Sequence, residues 1–178
     1  RPGENRFRWI NSSSEPILDS NQVMSLASQD EILWIGTFDA GLYRLDNQSG
    51  EMTDVALDSE SPFALQAPGV TAIVAHASGD IVASSYGGGT AIVDNSGRVT
   101  SVLRNPQSEF LSDYPITLAE DATGTMFVGM TGSVGVIDSE LSSIRPLSVN
   151  GVALSEAIGV DTTIIDIEVE PDGSLLLG

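Results

Sequence analysis

Hydrophobic and polar positions along the chain follow a strand period, and almost nowhere a helical one. Val23, Ser25 and Ala27 alternate with Met24, Leu26 and Ser28. Ile164 to Val169 is β-branched except for its acids. Both patterns suit a pleated strand with at least one buried face. Short polar turns follow such first strands: Gln29-Asp30-Glu31, Ser78-Gly79-Asp80, Ala122-Thr123-Gly124 and Pro171-Asp172-Gly173. Glycine, aspartate and asparagine tolerate the positive φ of tight hairpins. Second strands are predicted over Ile32–Thr37, Asp80–Ser85, Thr125–Met130 and Ser174–Gly178, and third strands over Leu42–Asp46, Thr90–Asp94 and Val134–Asp138. Fainter outer strands lie near Glu51–Leu57, Arg98–Arg104 and Ser143–Ser148, as expected for a wet sheet edge. Only Phe63–Gln66 and Val152–Ile158 suggest a helical turn. The fold class is all-β.

These strands recur as a repeat. Gln22–Asp46, Val70–Asp94 and Ile116–Asp138 align, and Ile164–Gly178 begins the pattern again. The closing aspartates are spaced 94−46 = 48 and 138−94 = 44. Anchoring on Gly36, Ser85, Gly129 and Gly178 gives 49, 44 and 49. A unit of this length holding four short strands is a propeller blade. The expected architecture is a partial β-propeller with about three complete four-stranded antiparallel blades, at 22–57, 70–104 and 115–148. Partial blades flank them, one as an outer strand over 6–10 and one as a first half over 163–178. Propellers close with four to eight blades, so the chain is expected to be one piece of a single propeller, its open blade edges allowing self-association.

Composition narrows the chemistry. Among 178 residues there are 25 acids against seven basic residues, all arginine, for a net charge of −18, with no cysteine and one histidine. So acidic a surface repels phosphate backbones and anionic lipid, which argues against nucleic-acid partners and membrane contact by this segment. No apolar run approaches the ~20 residues of a membrane span. The acids are spread over turns and edge strands of every blade, as in a solvated surface.

Candidate sites are few. Trp34 sits inside a strand, and alignment places Ala83, Phe127 and Leu176 at equivalent positions, so it reads as core. His76 is alone, with no triad partner in view and no second histidine for a metal. Tyr86-Gly87-Gly88-Gly89 leads into a strand and not a helix, so it reads as a turn and not a phosphate cradle. Asp46, Asp94 and Asp138 each end a third strand, where Asx turns account for them. The crowded acids Asp54, Asp58 and Glu60 lack the spaced oxygen-ligand loop of a calcium site. No cofactor, metal or catalytic residue is expected.

Loop length is the functional signal. Connections into the next blade are long, at Asp58–Gly69, Asn105–Tyr114 and Val149–Asp161, and share one face with the turns between second and third strands. That face carries Phe63, Leu65, Phe110, Leu111, Tyr114, Leu154 and Ile158, a candidate surface for an unknown small molecule or protein. The alternative is that these side chains plug the gaps between blades.

The segment Leu18-Asp19-Ser20-Asn21-Gln22-Val23, with Leu33-Trp34-Ile35-Gly36-Thr37, Gly41-Leu42-Tyr43-Arg44-Leu45-Asp46 and Ser49-Gly50, resembles the two-component regulator propeller repeat. The later units are degenerate at the Trp34-Ile35-Gly36 position. The resemblance implies a non-enzymatic sensory or binding propeller in the periplasmic or extracytoplasmic part of a membrane-anchored bacterial signalling protein. The implied output, a histidine kinase or diguanylate cyclase, lies outside this sequence. Two other readings remain open at this point, an enzyme propeller (a lyase or quinone-dependent dehydrogenase) and a passive protein-interaction scaffold.

Overall fold

A computed structural model describes residues 9–55, 69–104 and 114–178. Three four-stranded antiparallel sheets follow one another along the chain. The first contains β1 (Val23–Gln29), β2 (Ile32–Thr37), β3 (Leu42–Asp46) and β4 (Met52–Asp54). The second contains β5 (Val70–Ala75), β6 (Ile81–Ser85), β7 (Gly89–Val93) and β8 (Val99–Leu103). The third contains β9 (Thr117–Glu120), β10 (Met126–Met130), β11 (Ser133–Ile137) and β12 (Ile144–Pro146). Each sheet keeps sequence order from inner to outer strand, because two- to six-residue turns pair each strand with its predecessor. A small hairpin, β13 (Ser148–Val149) with β14 (Val152–Ala153), leads into one helical turn, α1 (Leu154–Ile158). The chain then forms a last hairpin, β15 (Ile167–Val169) with β16 (Leu175–Leu177). Of the expected outer strand Arg6–Ile10, residues 6–8 lie outside the described residues, and Trp9 and Ile10 are not in a strand. The possible turn at Phe63–Gln66 also lies outside them.

The sheets stack face to face, and the core is a series of seams between them. Trp34, Leu42 and Val55 of the first blade meet Val70, Ile73, Ile81, Ala83, Ala91 and Val93 of the second. Val82 and Ile92 on the other side of the second blade meet Met126, Val128, Met130 and Ile137 of the third. Phe127, Val134 and Val136 then meet Leu154, Ile164 and Ile167. Second and third strands are therefore buried on both faces, as β6, β7, β10 and β11 are throughout. This double burial explains their continuous apolar runs.

The seams correct the repeat alignment by one residue. Trp34, Val82 and Phe127 each point toward the following blade, whereas Ala83 points back toward the first. Glu120 pairs with Met126 as Ala75 pairs with Ile81, so Val82 and not Ala83 is equivalent to Phe127 and Trp34. By the same register Ser84, not Ser85, stands where Gly36 and Gly129 stand. A one-residue slip in a strand exchanges its two faces. Composition hides the slip here, because both faces of β6 are buried and apolar.

Turn chemistry holds the outer ends. Asp46 Oδ1 accepts the N–H groups of Gln48 and Ser49 at 2.8 and 3.0 Å. Asp94 Oδ1 accepts those of Ser96 and Arg98, both at 3.0 Å. Asp138 is the most heavily bonded: its carboxylate accepts the Ser142 N–H at 3.0 Å, the Ser143 N–H at 2.9 Å and the Ser143 hydroxyl at 2.6 Å. The Ser143 hydroxyl, foremost, and these N–H groups hold the Asp138 carboxyl well below the usual carboxylate range. Asp46, Asp94 and Asp172 are also held low, by the Ser49 N–H, the Ser96 hydroxyl and the Ser174 hydroxyl respectively. Because the folded values are depressed, this stabilisation is complete above pH ~4 and is lost as pH falls through the folded values. Asp138→Ala is expected to cost about 1 kcal/mol at pH 7, a modest figure because the turn is solvated. The deficit should shrink below pH ~4, and chemical denaturation of wild type and variant across pH checks it.

Candidate functional site

The turns between second and third strands, and the entries into each inner strand, lie at one end of the blades. A pocket of ≈ 700 Å³ opens there, lined by Met24, Phe38, Asp39, Gly69, Thr71, Tyr86 and Ile116. This size is in the range of small-molecule sites.

The repeat builds the pocket. In β1 the ladder runs from Val23 opposite Thr37 to Ser25 opposite Gly36, which leaves Met24 as the extra residue of a bulge. In β5 it runs from Val70 opposite Ser85 to Ala72 opposite Ser84, which leaves Thr71 in the same position. The third blade pairs Thr117 with Gly129, and so puts Ile116 there. Bulges turn a side chain out of the regular pleat. Three equivalent residues, Met24, Thr71 and Ile116, thus line the pocket from three adjacent blades. The Thr71 hydroxyl is engaged within the fold, donating to the carbonyls of Pro115 at 2.9 Å and Ser84 at 3.2 Å.

A second equivalent pair supplies the rim. Phe38 follows β2 and Tyr86 follows β6, and their N–H groups donate to the carbonyls of Gln22 and Gly69, both at 2.9 Å. Both rings stay more than half exposed, at 57% and 54%. Tyr114 continues the aromatic wall, its ring centroid 4.6 Å from that of Tyr86 at an interplanar angle of 36°. Gly69 has a steric reason to be glycine: a Cβ there would lie 2.8 Å from the Phe38 carbonyl oxygen. Asp39, also exposed, is the one acidic residue in the lining.

Of the residues expected on this face, Tyr114 borders the pocket. Leu154 is buried and Ile158 partly buried, and both pack with Phe127, Val134 and Ile167 in the third seam. Phe63, Leu65, Phe110 and Leu111 lie outside the described residues. Sequence reasoning passed over Phe38, Tyr86, Met24, Thr71 and Ile116. The available signal was an aromatic residue immediately after two consecutive second strands, on a turn where core packing does not ask for one.

The remaining candidates settle into structure. Trp34 is fully buried. His76 is 4% exposed and ties the first hairpin turn of the second blade to that of the third. Its Nε2 lies 2.8 Å from the Gly124 carbonyl oxygen and its Nδ1 lies 2.8 Å from the Ser78 hydroxyl. Glu120 Oε1 is 3.5 Å from Nε2 and accepts the Ala77 N–H at 3.0 Å. The imidazole is thus an inter-blade clamp, at the opposite end of β5 from Thr71. Tyr86-Gly87-Gly88 is a turn, with Gly87 at φ 79°, where a side chain would press on the Tyr114 ring. Asp54 is pushed up by burial and by the neighbouring Asp19, while Asp58 and Glu60 lie outside the described residues. Among the described residues no three metal-ligating side chains converge, and no helix is long and apolar enough to cross a membrane.

No protein-family model matches the chain, and no curated protein sequence does. Solved structures do. The extracellular domain of BT4673 from B. thetaiotaomicron, assigned to a one-component system, superposes with a TM-score of 0.70 at 19% identity, over 88% of this chain and 20% of that one. The extracellular domain of BT3049 from B. thetaiotaomicron, assigned to a hybrid two-component system, gives 0.66 at 19% identity, over 89% and 21%. A streptogramin B lyase gives 0.60 at 17% identity, over 87% and 47%. The chain spans about one fifth of the length of the two extracellular domains it matches. Together with the sheets and seams described above, these likenesses show that the chain has the fold of a partial β-propeller.

Proposed function

We propose that this chain is a non-enzymatic, ligand-reading part of an extracytoplasmic sensory propeller, belonging to a bacterial signal-transduction receptor of the two-component regulator type. The carrying observation is the pocket that three successive blades build from equivalent residues, Met24, Thr71 and Ile116, under the exposed rings of Phe38 and Tyr86. Exposed aromatic surface on a turn adds nothing to a folded core, so ligand or partner contact is its natural use. The repeat at Leu18–Gly50 and the likeness to extracellular domains of one- and two-component systems support the same class. An occupant touching three blades alters their mutual packing, and it changes output to the extent that it favours one arrangement over another.

The lyase likeness is weak support for an enzyme. The chain's one histidine has both ring nitrogens engaged in the inter-blade clamp, at the far end of β5 from the pocket.

The test uses the intact receptor. Phe38→Ser with Tyr86→Ser is expected to abolish the signalling response while the melting temperature of the protein changes little, because both rings are exposed. An unchanged response with these rings removed overturns the proposal.

A further inference from the structure

The lining of this pocket also indicates what it takes. Its walls are apolar or aromatic: Met24, Ile116, Phe38 and Tyr86, with the Tyr114 ring in tilted contact with Tyr86. The Thr71 hydroxyl donates its proton within the fold, so it is not free to donate to a ligand. The one acidic residue of the lining is Asp39, which is exposed and has no ion-pair partner among the described residues. Among the described residues no basic side chain lines it. Around it lies a chain of net charge −18.

From these features we infer that the pocket binds a small organic cation, an amine or quaternary ammonium carried on an apolar or aromatic body. The inference rests on the reading of this pocket as the ligand site. Each part of such a ligand has a counterpart. The apolar body covers Met24 and Ile116, and removes their exposed surface from water. The cationic head meets the faces of Phe38 and Tyr86, whose quadrupoles attract positive charge, beside the Asp39 carboxylate. The acidic surface raises the local concentration of cations and lowers that of anions. A carboxylate or phosphate ligand finds no positive partner in the lining and a repelling field around it. A neutral ligand gains the apolar contact but neither electrostatic term.

The effect is bounded by exposure. Cation–π contacts and ion pairs at solvated rims are each modest, so a preference of about fivefold over a neutral analogue is expected.

The test compares three probes of matched shape on the intact protein by NMR titration: 2-phenylethylammonium, 2-phenylethanol and 3-phenylpropionate. The inference predicts that the cation binds most tightly, the alcohol about fivefold more weakly, and the carboxylate most weakly. Added salt should reduce the cation's advantage. Asp39→Asn should bring cation and alcohol close together, while Phe38→Ala or Tyr86→Ala should weaken both. Equal or tighter binding of the alcohol or the carboxylate overturns the cation preference and leaves the pocket as a ligand site. A preference unchanged in Asp39→Asn overturns the role of that carboxylate and with it the inference. If none of the probes binds, both the inference and the ligand-site reading fall.

Discussion

Trp34→Ala is expected to destabilise the protein by about 3–5 kcal/mol, a large fraction of the total stability of a domain this size. The indole is fully buried where β2 of the first blade faces the second, among Leu42, Val70, Ile73, Ile81, Ala83 and Ala91. Its neighbours come from two different sheets. Removing it opens a cavity at a blade seam, where neither sheet can close the gap without disturbing its own ladder. Its Nε1–H has no hydrogen-bond partner among the described residues. Trp34→Phe should therefore cost much less than Trp34→Ala, because no hydrogen bond is lost and a buried unpaired donor disappears. Urea unfolding of the three proteins checks this. Equal losses for Phe and Ala would mean that the N–H is paired and that shape complementarity of the indole is secondary.

Gly129→Val is expected to destabilise by about 3 kcal/mol, at the upper end of the range for overpacking. A Cβ at this position would lie 2.5 Å from Thr117 Cγ2, 2.9 Å from Ile164 Cγ2 and 3.0 Å from the Ile164 carbonyl oxygen. The backbone oxygen matters most, since Ile164 is held by its own N–H donating to the Met130 carbonyl at 3.1 Å and cannot withdraw cheaply. Gly36 is closed by side chains alone, its hypothetical Cβ meeting Ser25 Oγ and lying 2.7 Å from Val70 Cγ1. The second blade has Ser84 there, and the cross-strand partner is now Ala72 in place of Ser25 or Thr117. The trade of glycine against a hydroxyl residue for serine against alanine keeps the paired volume similar. Gly129→Val combined with Thr117→Ala should accordingly recover part of the loss. Thermal unfolding of single and double variants measures the coupling, and strict additivity would show that the two sites do not compete for space.

Much of the fold was legible in the chain because each blade is made of local pairings. Ile32–Thr37 and Leu42–Asp46 were read to the residue, since the hairpin between them is marked by Asp39 and Gly41 and both strands are apolar enough to stand out. Outer strands are shorter than expected: β12 covers three residues of Ser143–Ser148 and β4 three of the described residues 51–55, because an edge strand has one ladder and few apolar contacts to extend it. Val152–Ile158 was half right. Its first two residues pair with Ser148–Val149, and the helical turn begins at Leu154, where the side chain drops into the third seam.

The site was less legible, and the reason is geometric. Long loops drew attention to one end of the blades, whereas the pocket lining at that end comes from short turns and from the first residues of inner strands. Met24, Thr71 and Ile116 are 47 and 45 residues apart (71−24 and 116−71), chemically unlike, and equivalent only once the bulges in β1 and β5 are counted. No period in the sequence marks a bulge, because the inserted residue is identified by its missing partner across the ladder.

Sequence alone therefore determined the blade repeat, its turns and its aspartate caps, all consequences of strand periodicity and of side chains bonding to backbone a few residues away. Which face of β6 meets which neighbour, where Ser84 stands in for glycine, and which side chains converge on one pocket were decided by the tertiary structure. Those are contacts between residues some fifty positions apart, and only the stacking of sheet on sheet brings such residues together.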